Sequence, residues 1–148
     1  MNQEERKLLV KMQVDKAHHF LNQAEEMMIQ GHSDMAVNRM YYSCYHVVQA
    51  LFIQQKVIGH SHSGMITQFS KYFVKTGIVP IGEGSFIARL FQLRQKADYN
   101  CAYDITKEEA LALQEPTRHF VGMITKLIEE EREMKLDQIE NNENNNTK

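Results

Sequence analysis

The sequence over residues 89–100 reads Arg89-Leu90-Phe91-Gln92-Leu93-Arg94-Gln95-Lys96-Ala97-Asp98-Tyr99-Asn100. Its apolar residues recur at three- and four-residue spacings, which predicts an amphipathic helix whose packing face holds Ile87, Leu90, Leu93, Ala97 and Cys101. At about 100° per residue, Arg94 lies about 40° and Asp98 about 80° from Leu90, so two charges share that face. Because burying an unmatched charge is costly, the helix predicts either a structural ion pair or a binding site.

The same helical spacing continues on both sides of this stretch. Apolar stripes predict a first helix over residues 4–30 that ends at Gly31, a second over 34–56, and a short segment around 65–74. The helix of the quoted stretch begins near residue 84. Thr106 and Glu109 form a capping-box pattern that opens a last helix to about Leu136, with a kink or restart at Pro116. We therefore predict an all-α fold, an antiparallel up-and-down bundle of four main helices plus a short additional helix.

Length and composition indicate an ordinary soluble protein with one domain. Of the 148 residues, we assign 1–138 to a single helical domain and 139–148 to a disordered Asn-rich tail. The net charge of -2 gives no global electrostatic argument for nucleic acid, so any such binding is local. Cys44 and Cys101 lie in apolar helical stretches and are expected to be reduced, buried thiols. The chain has no signal-peptide pattern and no membrane-length apolar run, and we expect it in the cytoplasm, away from membranes.

Several common enzyme classes lack their motifs in this sequence. It contains no Gly-x-Ser-x-Gly elbow, no P-loop, no dinucleotide fingerprint and no Glu-x-x-His pair. His60 and His62 lie in a Ser/Gly loop without a third ligand in sequence reach, so we predict no metal and no cofactor.

A line of polar and aromatic residues on the second helix remains as a candidate site. Arg39, Tyr42 and His46 lie at three- and four-residue spacings, which places them along one side of that helix. Two interpretations stay open: the tyrosines pack their rings in the bundle and direct their hydroxyls outward, or the line faces Arg94 and Asp98. The candidate ligand-binding or partner-binding residues are Arg39, Tyr42, His46, His62, Arg94, Asp98 and Asn100.

Three motifs of the chain together suggest a known family. They are Ala36-x-x-Arg39-x-Tyr41-Tyr42-Ser43-x-Tyr45, then Ser61-His62-x-Gly64 with Phe69 and Tyr72-Phe73-Val74-Lys75-Thr76-Gly77, then Leu93-Arg94-x-x-Ala97-Asp98-Tyr99. Over roughly residues 10–130 the chain resembles the HEPN domains (higher eukaryotes and prokaryotes nucleotide-binding) of the stand-alone bacterial and archaeal branch. The resemblance implies a four-helix bundle with a short extra helix, a homodimer, and a minimal nucleotidyltransferase partner encoded beside it, often as toxin and antitoxin.

The resemblance also bears on catalysis. Active members of the family cut RNA without metal, using an arginine and a histidine with four to six residues between them, and both protomers contribute to one cleft. Arg94 matches the arginine, but the three positions for the histidine hold Tyr99, Asn100 and Cys101. Histidine suits the proton transfers of RNA cleavage because its ordinary pKa is about 6.5. Tyrosine has an ordinary pKa of about 10, so Tyr99 could act as an acid but would be a poor base. Tyr99 also lies about 180° from Leu90 on the helix, away from the core.

One main hypothesis and two alternatives follow. The main hypothesis is a non-catalytic or degenerate HEPN module, a homodimer that binds a nucleotidyltransferase partner, and RNA or nucleotide at a cleft lined by Arg94. The first alternative is a metal-independent ribonuclease in which Arg94 anchors phosphate and the missing base is replaced by Tyr99, His46 or His62. The second alternative is a scaffold whose Arg94–Asp98 pair is purely structural.

Overall fold

The computed structural model describes residues 1–58 and 61–146, with side chains described as far as Glu131. It contains the helices α1 (Gln3–Ile29), α2 (Ser33–Gln55), α3 (His62–Phe69), α4 (Ile81–Tyr99) and α5 (Lys107–Asn146), with a π-helical segment at Ser70–Val74 directly after α3. No strand occurs within these ranges, so the predicted all-α fold is confirmed. None of the described helices is long and apolar enough to cross a membrane.

The four long helices alternate in direction. Arg6, near the start of α1, donates to the backbone carbonyl of Ile53 at the end of α2 (2.6 Å), whereas Ser43, midway along α2, donates to the carbonyl of Ala17 (2.7 Å). Later residues of α1 therefore meet earlier residues of α2. In the same way, α4 and α5 run antiparallel, with early α4 facing later α5 at the Glu83–His119 pair (3.1 Å) and late α4 facing early α5 at Leu93 and Leu113. This is the predicted up-and-down order.

The turn between α1 and α2 forms as the sequence predicts. Gly31 adopts φ +83°, a left-handed conformation that costs a glycine little. The backbone N–H of His32 donates to the carbonyl of Met27 (2.8 Å) and that of Gly31 to Met28 (3.1 Å). These bonds satisfy carbonyls at the end of α1. At the start of α2, His32 is the N-cap residue, and its side chain makes no capping hydrogen bond.

Helix α2 lies at the centre of the bundle and contacts α1, α4 and α5. Two polar side chains buried on it reach backbone carbonyls of neighbouring helices: Ser43 bonds to Ala17 of α1 (2.7 Å), and Gln54 bonds to Ile128 of α5 (2.9 Å). A buried polar group that lacks a partner is costly, and these bonds avoid that cost. The apolar residues that α2 buries are Ala36, Val37, Met40, Tyr41, Cys44, Val47, Val48, Ala50, Leu51 and Phe52.

The connection from α3 to α4 is anchored on both sides. Phe73 and Val79 are buried, and the backbone N–H of Val79 donates to the carbonyl of Phe73 (2.8 Å), which closes the turn between them. Gly77 adopts φ +82° inside this turn. Helix α4 then packs so closely on the π-helical segment that a Cβ atom on Gly84 would lie 2.8 Å from Val74 Cγ2. The turn is therefore held firmly against the bundle.

Helix α4 buries only the first part of its predicted packing face, through Phe86, Ile87 and Leu90. Leu93 and Ala97 are half-buried. Cys101 is exposed, so the prediction that it is a buried thiol is wrong: α4 ends at Tyr99, and Cys101 lies in the turn beyond it. Cys44 is buried as predicted, and burial, followed by the nearby charge of Glu83, raises the pKa of its thiol.

Helix α5 begins as predicted, because Thr106 Oγ1 accepts a hydrogen bond from the backbone N–H of Glu109 (3.1 Å). It continues through Pro116 without a restart, so that alternative is wrong, and a kink at Pro116 stays a prediction. Ala110 before the proline and Phe120 after it are both fully buried, so packing holds the helix on each side of the missing bond. The helix extends to Asn146 rather than to about Leu136, and thus through residues 139–146 of the predicted tail. Residues 147–148 lie outside the described part, and disorder of the tail stays a prediction.

Candidate functional site

Arg94 lies on the face of α4 that meets the tyrosines of α2. Its Nε donates to Asp98 Oδ2 at 2.9 Å, and its Nη2 donates to the hydroxyl of Tyr42 at 3.3 Å. The Arg94 side chain is 12% exposed and that of Asp98 is 34% exposed, so the pair lies at the boundary between core and solvent. The pairing expected from the four-residue spacing is therefore present, and the polar line on α2 does reach it through Tyr42.

Two tyrosine rings pack against the guanidinium of Arg94. Its guanidinium carbon lies 5.1 Å from the ring centroid of Tyr41 and 5.3 Å from that of Tyr42. The faces of these rings carry partial negative charge and attract the cation, which adds to the effect of Asp98. Tyr41 is fully buried, and burial raises the pKa of its hydroxyl well above the ordinary value, although Arg94 acts in the opposite direction. Tyr41 is thus a neutral phenol at physiological pH.

His62, the first residue of α3, joins the same cluster. Its Nδ1 lies 2.5 Å from the hydroxyl of Tyr41, and its ring stacks on Tyr45 with the centroids 4.6 Å apart. Burial lowers the pKa of His62, and the positive charge of Arg94 lowers it further. Both effects favour the neutral imidazole. We name the set of Tyr41, Tyr42, Tyr45, His62, Arg94 and Asp98 the Arg94 cluster.

His46 belongs to a neighbouring group between α1 and α2. Its ring stacks on Phe20, with the centroids 5.4 Å apart and the planes 6° from parallel. Its Nδ1 lies 2.7 Å from Gln13 Oε1. Because a carbonyl oxygen only accepts, Nδ1 donates this bond and the lone pair of the neutral ring is on Nε2.

The line predicted along α2 is therefore divided between two groups. Tyr42 bonds to Arg94, whereas the guanidinium carbon of Arg39 lies 5.4 Å from the ring centroid of Phe20, and its Nη1 donates to Asn38 Oδ1 at 2.7 Å. Tyr42 and Tyr45 adjoin both groups, since the ring centroid of Tyr42 lies 6.1 Å from that of Phe20 and the ring centroid of Tyr45 lies 5.1 Å from that of His46. Of the predicted α2 residues, Tyr42 is the one that contacts the arginine.

The two residues at the end of α4 lie outside the Arg94 cluster. Tyr99 is 79% exposed, as its position on the helix predicted. Asn100 is exposed and ends the helix, with its Oδ1 accepting a hydrogen bond from the backbone N–H of Ala102 at 3.1 Å. Asparagine often forms this kind of local turn, which accounts for its presence here. Tyr99 is available to another molecule but does not contact the cluster of its own chain.

Tyr41 and Tyr45 contact the predicted site residues, although the sequence did not single them out as candidates. Both pack on His62, with ring centroids 5.7 Å and 4.6 Å from it. The available signal was their four-residue spacing, which puts them on one side of α2. That spacing is also usual for aromatic residues that only fill a core, so it does not distinguish the two cases.

No group of three or more His, Cys, Asp or Glu side chains that suits a metal ion occurs within residues 1–58 and 61–131. His60 of the predicted His-x-His pattern lies outside the described residues. His62 is hydrogen-bonded to Tyr41. The absence of a metal or cofactor from this protein stays a prediction.

Acidification is expected to destabilise the protein through His46. Burial, with smaller contributions from the charges of Lys16 and His62, lowers the pKa of His46 to about 4. In the unfolded chain the pKa of a histidine is about 6.5. Between these two pKa values the unfolded state therefore binds more protons than the folded state. The contribution to stability is complete above about pH 6.5 and is lost as the pH falls toward about 4. Since His46 is only partly buried, we expect a loss of about 1 to 2 kcal/mol.

Urea unfolding at pH 7.5 and pH 5.0 measures this loss. His46→Gln keeps an amide beside Gln13 but does not titrate, and it should reduce the difference between the two pH values. His18→Gln, at an exposed position of α1, is the matched control and should leave the difference unchanged. An identical pH dependence in His46→Gln and the wild type would contradict the assignment.

Comparison with known proteins gives the family. Residues 10–132 match the HEPN domain. The chain is 31% identical over 135 residues to "Putative toxin MJ0142" of Methanocaldococcus jannaschii, covering 91% of this chain and 88% of that protein. It is 31% identical over 115 residues to a "UPF0332 protein" of Thermotoga maritima, covering 78% and 87%. It is 35% identical over 95 residues to "Putative toxin MJ0605" of M. jannaschii, covering 64% and 70%.

The chain therefore belongs to the HEPN domain family, and the family expected from its three motifs is confirmed. Every residue of the Arg94 cluster lies inside the matched range.

Proposed function

We propose that this chain is a non-catalytic HEPN module that acts as a homodimer, binds a partner protein of the minimal nucleotidyltransferase class, and holds an RNA or nucleotide phosphate at Arg94. The observation that carries the proposal is the way Arg94 is held, with a carboxylate, a hydroxyl and two ring faces around one guanidinium. The two relatives named as toxins support a place in a toxin–antitoxin pair.

The arrangement leaves Arg94 able to bind but fixed in place. A guanidinium has five N–H donors, and the bonds to Asp98 and Tyr42 use two of them. The other donors make no hydrogen bond to a side chain within the described residues, and guanidinium groups bind phosphate oxygens with two parallel hydrogen bonds. Since Asp98 and the tyrosines already hold the side chain, little conformational entropy is lost when the ligand binds. This supports phosphate recognition at Arg94.

The residues after Arg94 argue against the usual catalytic role. Metal-free RNA cleavage needs a group that takes the proton of the 2′-hydroxyl and one that protonates the leaving oxygen. The positions expected for a histidine hold Tyr99, Asn100 and Cys101, all of them exposed. A phenol is a poor general base at neutral pH because it holds its proton there. Binding without turnover is therefore the better supported function.

A metal-independent ribonuclease is the second candidate, and the position of His62 favours it. His62 and Arg94 pack on the same two tyrosines, with ring centroids of Tyr41 and Tyr42 5.7 Å and 6.0 Å from the His62 ring. The lowered pKa of His62 gives the neutral imidazole, which is the form that accepts a proton. In this mechanism His62 takes the 2′-hydroxyl proton as that oxygen attacks the phosphorus, while Arg94 stabilises the charge on the phosphate. The bond from phosphorus to the 5′-oxygen breaks, and the 5′-oxygen takes a proton from water.

RNA binding and RNA cleavage by four proteins separate these functions. Wild type, Arg94→Ala, His62→Ala and the control Arg89→Ala, an exposed arginine on the same helix, are incubated with labelled RNA in the presence of EDTA. The binding module predicts no cleavage by any of them and RNA binding that Arg94→Ala weakens about tenfold, while Arg89→Ala changes it little. Cleavage by the wild type that both Arg94→Ala and His62→Ala abolish would establish the ribonuclease instead.

The two association partners need a separate experiment. Native mass spectrometry of the purified chain is expected to give a dimer. Addition of the minimal nucleotidyltransferase encoded beside the gene is expected to give a mixed complex. A monomer that forms no mixed complex would contradict this part of the proposal, whatever the outcome with RNA.

A further inference from the structure

We propose that the turn between α3 and α4 is the docking surface for a protein partner whose contact area is apolar at its centre and acidic at its edge. This inference rests on the proposed partner-binding function and adds the surface and the chemistry of the partner. We name the surface the Ile78 turn, and it consists of Lys71, Tyr72, Lys75, Thr76, Ile78, Pro80 and Ile81, all of which are exposed.

The Ile78 turn presents large apolar side chains to water. Tyr72 is 42% exposed, Ile78 52% and Ile81 77%, and all three fall within ten consecutive residues. Scattered apolar residues are normal on a protein surface, but several of them close together usually mark an interaction site. Connections between helices are more often polar, so Ile78 in the connection and Ile81 at the first position of α4 indicate a contact outside the chain.

The turn is rigid, which suits a docking surface. Its base is fixed by the buried side chains of Phe73 and Val79 and by the 2.8 Å backbone bond between them. Val74, in the π-helical segment that leads into the turn, is in close contact with Gly84. Single-turn π-helical segments are frequent at functional sites. A surface already ordered in the free protein loses little conformational entropy on binding.

The charge around the turn indicates the chemistry of the partner. Lys71 and Lys75 are exposed, residues 70–82 contain no acidic residue, and no carboxylate pairs with either lysine among the described side chains. The nearest acidic residue in sequence, Glu83, lies within 3.1 Å of His119. The two lysines therefore favour Asp or Glu at the edge of the partner's contact area.

Other occupants fit this surface less well. A second copy placed by two-fold symmetry on the same patch would bring the lysines of both copies together, and like charges repel. RNA could contact Lys71, Lys75 and the ring of Tyr72, but it offers no apolar surface to cover Ile78 and Ile81, the two most exposed apolar side chains of the turn. A membrane surface attracts about 1 kcal/mol per basic residue, too little from two lysines to hold the protein there.

The test begins with photo-crosslinking in cells of the organism that carries the gene. A benzophenone amino acid replaces Ile78 in one variant and Ile29, 86% exposed at the end of α1, in the control. A covalent adduct with one heterologous protein is expected from position 78 and not from position 29. A cross-link from position 78 to a second copy, to RNA or to lipid, or no cross-link at all, would overturn the inference.

Binding measurements with purified proteins then test the inference, because a cross-link alone does not support a specific docking surface. The cross-linked protein should bind the Ile78→Ser variant and the Lys71→Glu/Lys75→Glu variant each at least tenfold more weakly than it binds the wild type. The control Ile29→Ser should bind with the affinity of the wild type. Circular dichroism checks that each variant is folded. If the wild type binds strongly and both variants bind equally well, the Ile78 turn is not the docking surface, but the proposed partner-binding function is unaffected. If the wild type binds no protein, the proposed function itself is contradicted.

Discussion

Replacing Arg94 with methionine is expected to lower the free energy of unfolding by about 2 kcal/mol. The substitution removes the cation from the faces of Tyr41 and Tyr42 and leaves the carboxylate of Asp98 without its partner. Methionine has a similar length and fills most of the same space, so little of the effect comes from lost packing. Urea unfolding followed by circular dichroism measures the change.

Two further variants assign the effect to the Arg94–Asp98 pair. Arg89→Met alters an exposed arginine of the same helix and should change stability by less than about 0.5 kcal/mol. Arg94→Met combined with Asp98→Leu removes both charges, and it should recover part of the stability because no carboxylate is left unpaired. If Arg94→Met is as stable as the wild type, the contacts of the Arg94 guanidinium do not stabilise the fold.

The same variant also distinguishes a scaffold from a binding module. In a scaffold, Arg94→Met lowers stability but leaves the binding of RNA and of the partner protein unchanged at a temperature where the variant is folded. In a binding module, RNA binding falls along with stability. The two measurements are independent because binding is assayed well below the unfolding transition.

Replacing Tyr41 with alanine is expected to have the largest effect on stability, a loss of about 3 to 5 kcal/mol. Tyr41 is fully buried, and its ring packs on Phe91, Tyr42, His62 and the guanidinium of Arg94. Its removal leaves a cavity that these neighbours fill only in part. Thermal unfolding checks the prediction, and a loss below about 1 kcal/mol would contradict the central position that we assign to this ring.

Tyr41→Phe isolates the contribution of the hydroxyl. The ring remains, but His62 Nδ1 loses its partner at 2.5 Å, and we expect a loss of about 1 kcal/mol. A double-mutant cycle with His62→Ala measures the coupling between the two side chains. Additive effects in that cycle would mean that the Tyr41–His62 bond contributes nothing to stability.

Much of the fold could be predicted because helices depend on local sequence. The spacing of apolar residues and the position of Gly31 are enough to place the α1–α2 hairpin, and Thr106 marks the start of α5. Errors came where tertiary packing overrides local preference. Pro116 does not interrupt α5, because buried residues hold the helix before and after it. Cys101 is exposed because α4 ends two residues earlier.

The candidate site was predicted in part for the same reason. The Arg94–Asp98 contact is four residues along one helix, so its geometry is contained in the sequence. The sequence does not contain the division of the polar line on α2 between two groups. Tyr42 bonds to Arg94, whereas Arg39 lies over Phe20 of α1. Which residues of α2 meet α4 depends on the rotation and relative position of two helices, and those follow from the packing of the whole bundle.

The sequence by itself determined the all-α class, the HEPN family, the charged pair on α4 and the replacement of the expected histidine by Tyr99, Asn100 and Cys101. Only the tertiary structure decided that His62 of α3 and Arg94 of α4 pack on the same tyrosine, Tyr41, and that the ring of His46 stacks on Phe20 of α1. The physical reason is the range of the contacts. Helical periodicity relates residues one turn apart, whereas His62 of α3 and Arg94 of α4 both pack on Tyr41 and Tyr42 of α2, an arrangement that exists only once the bundle is packed.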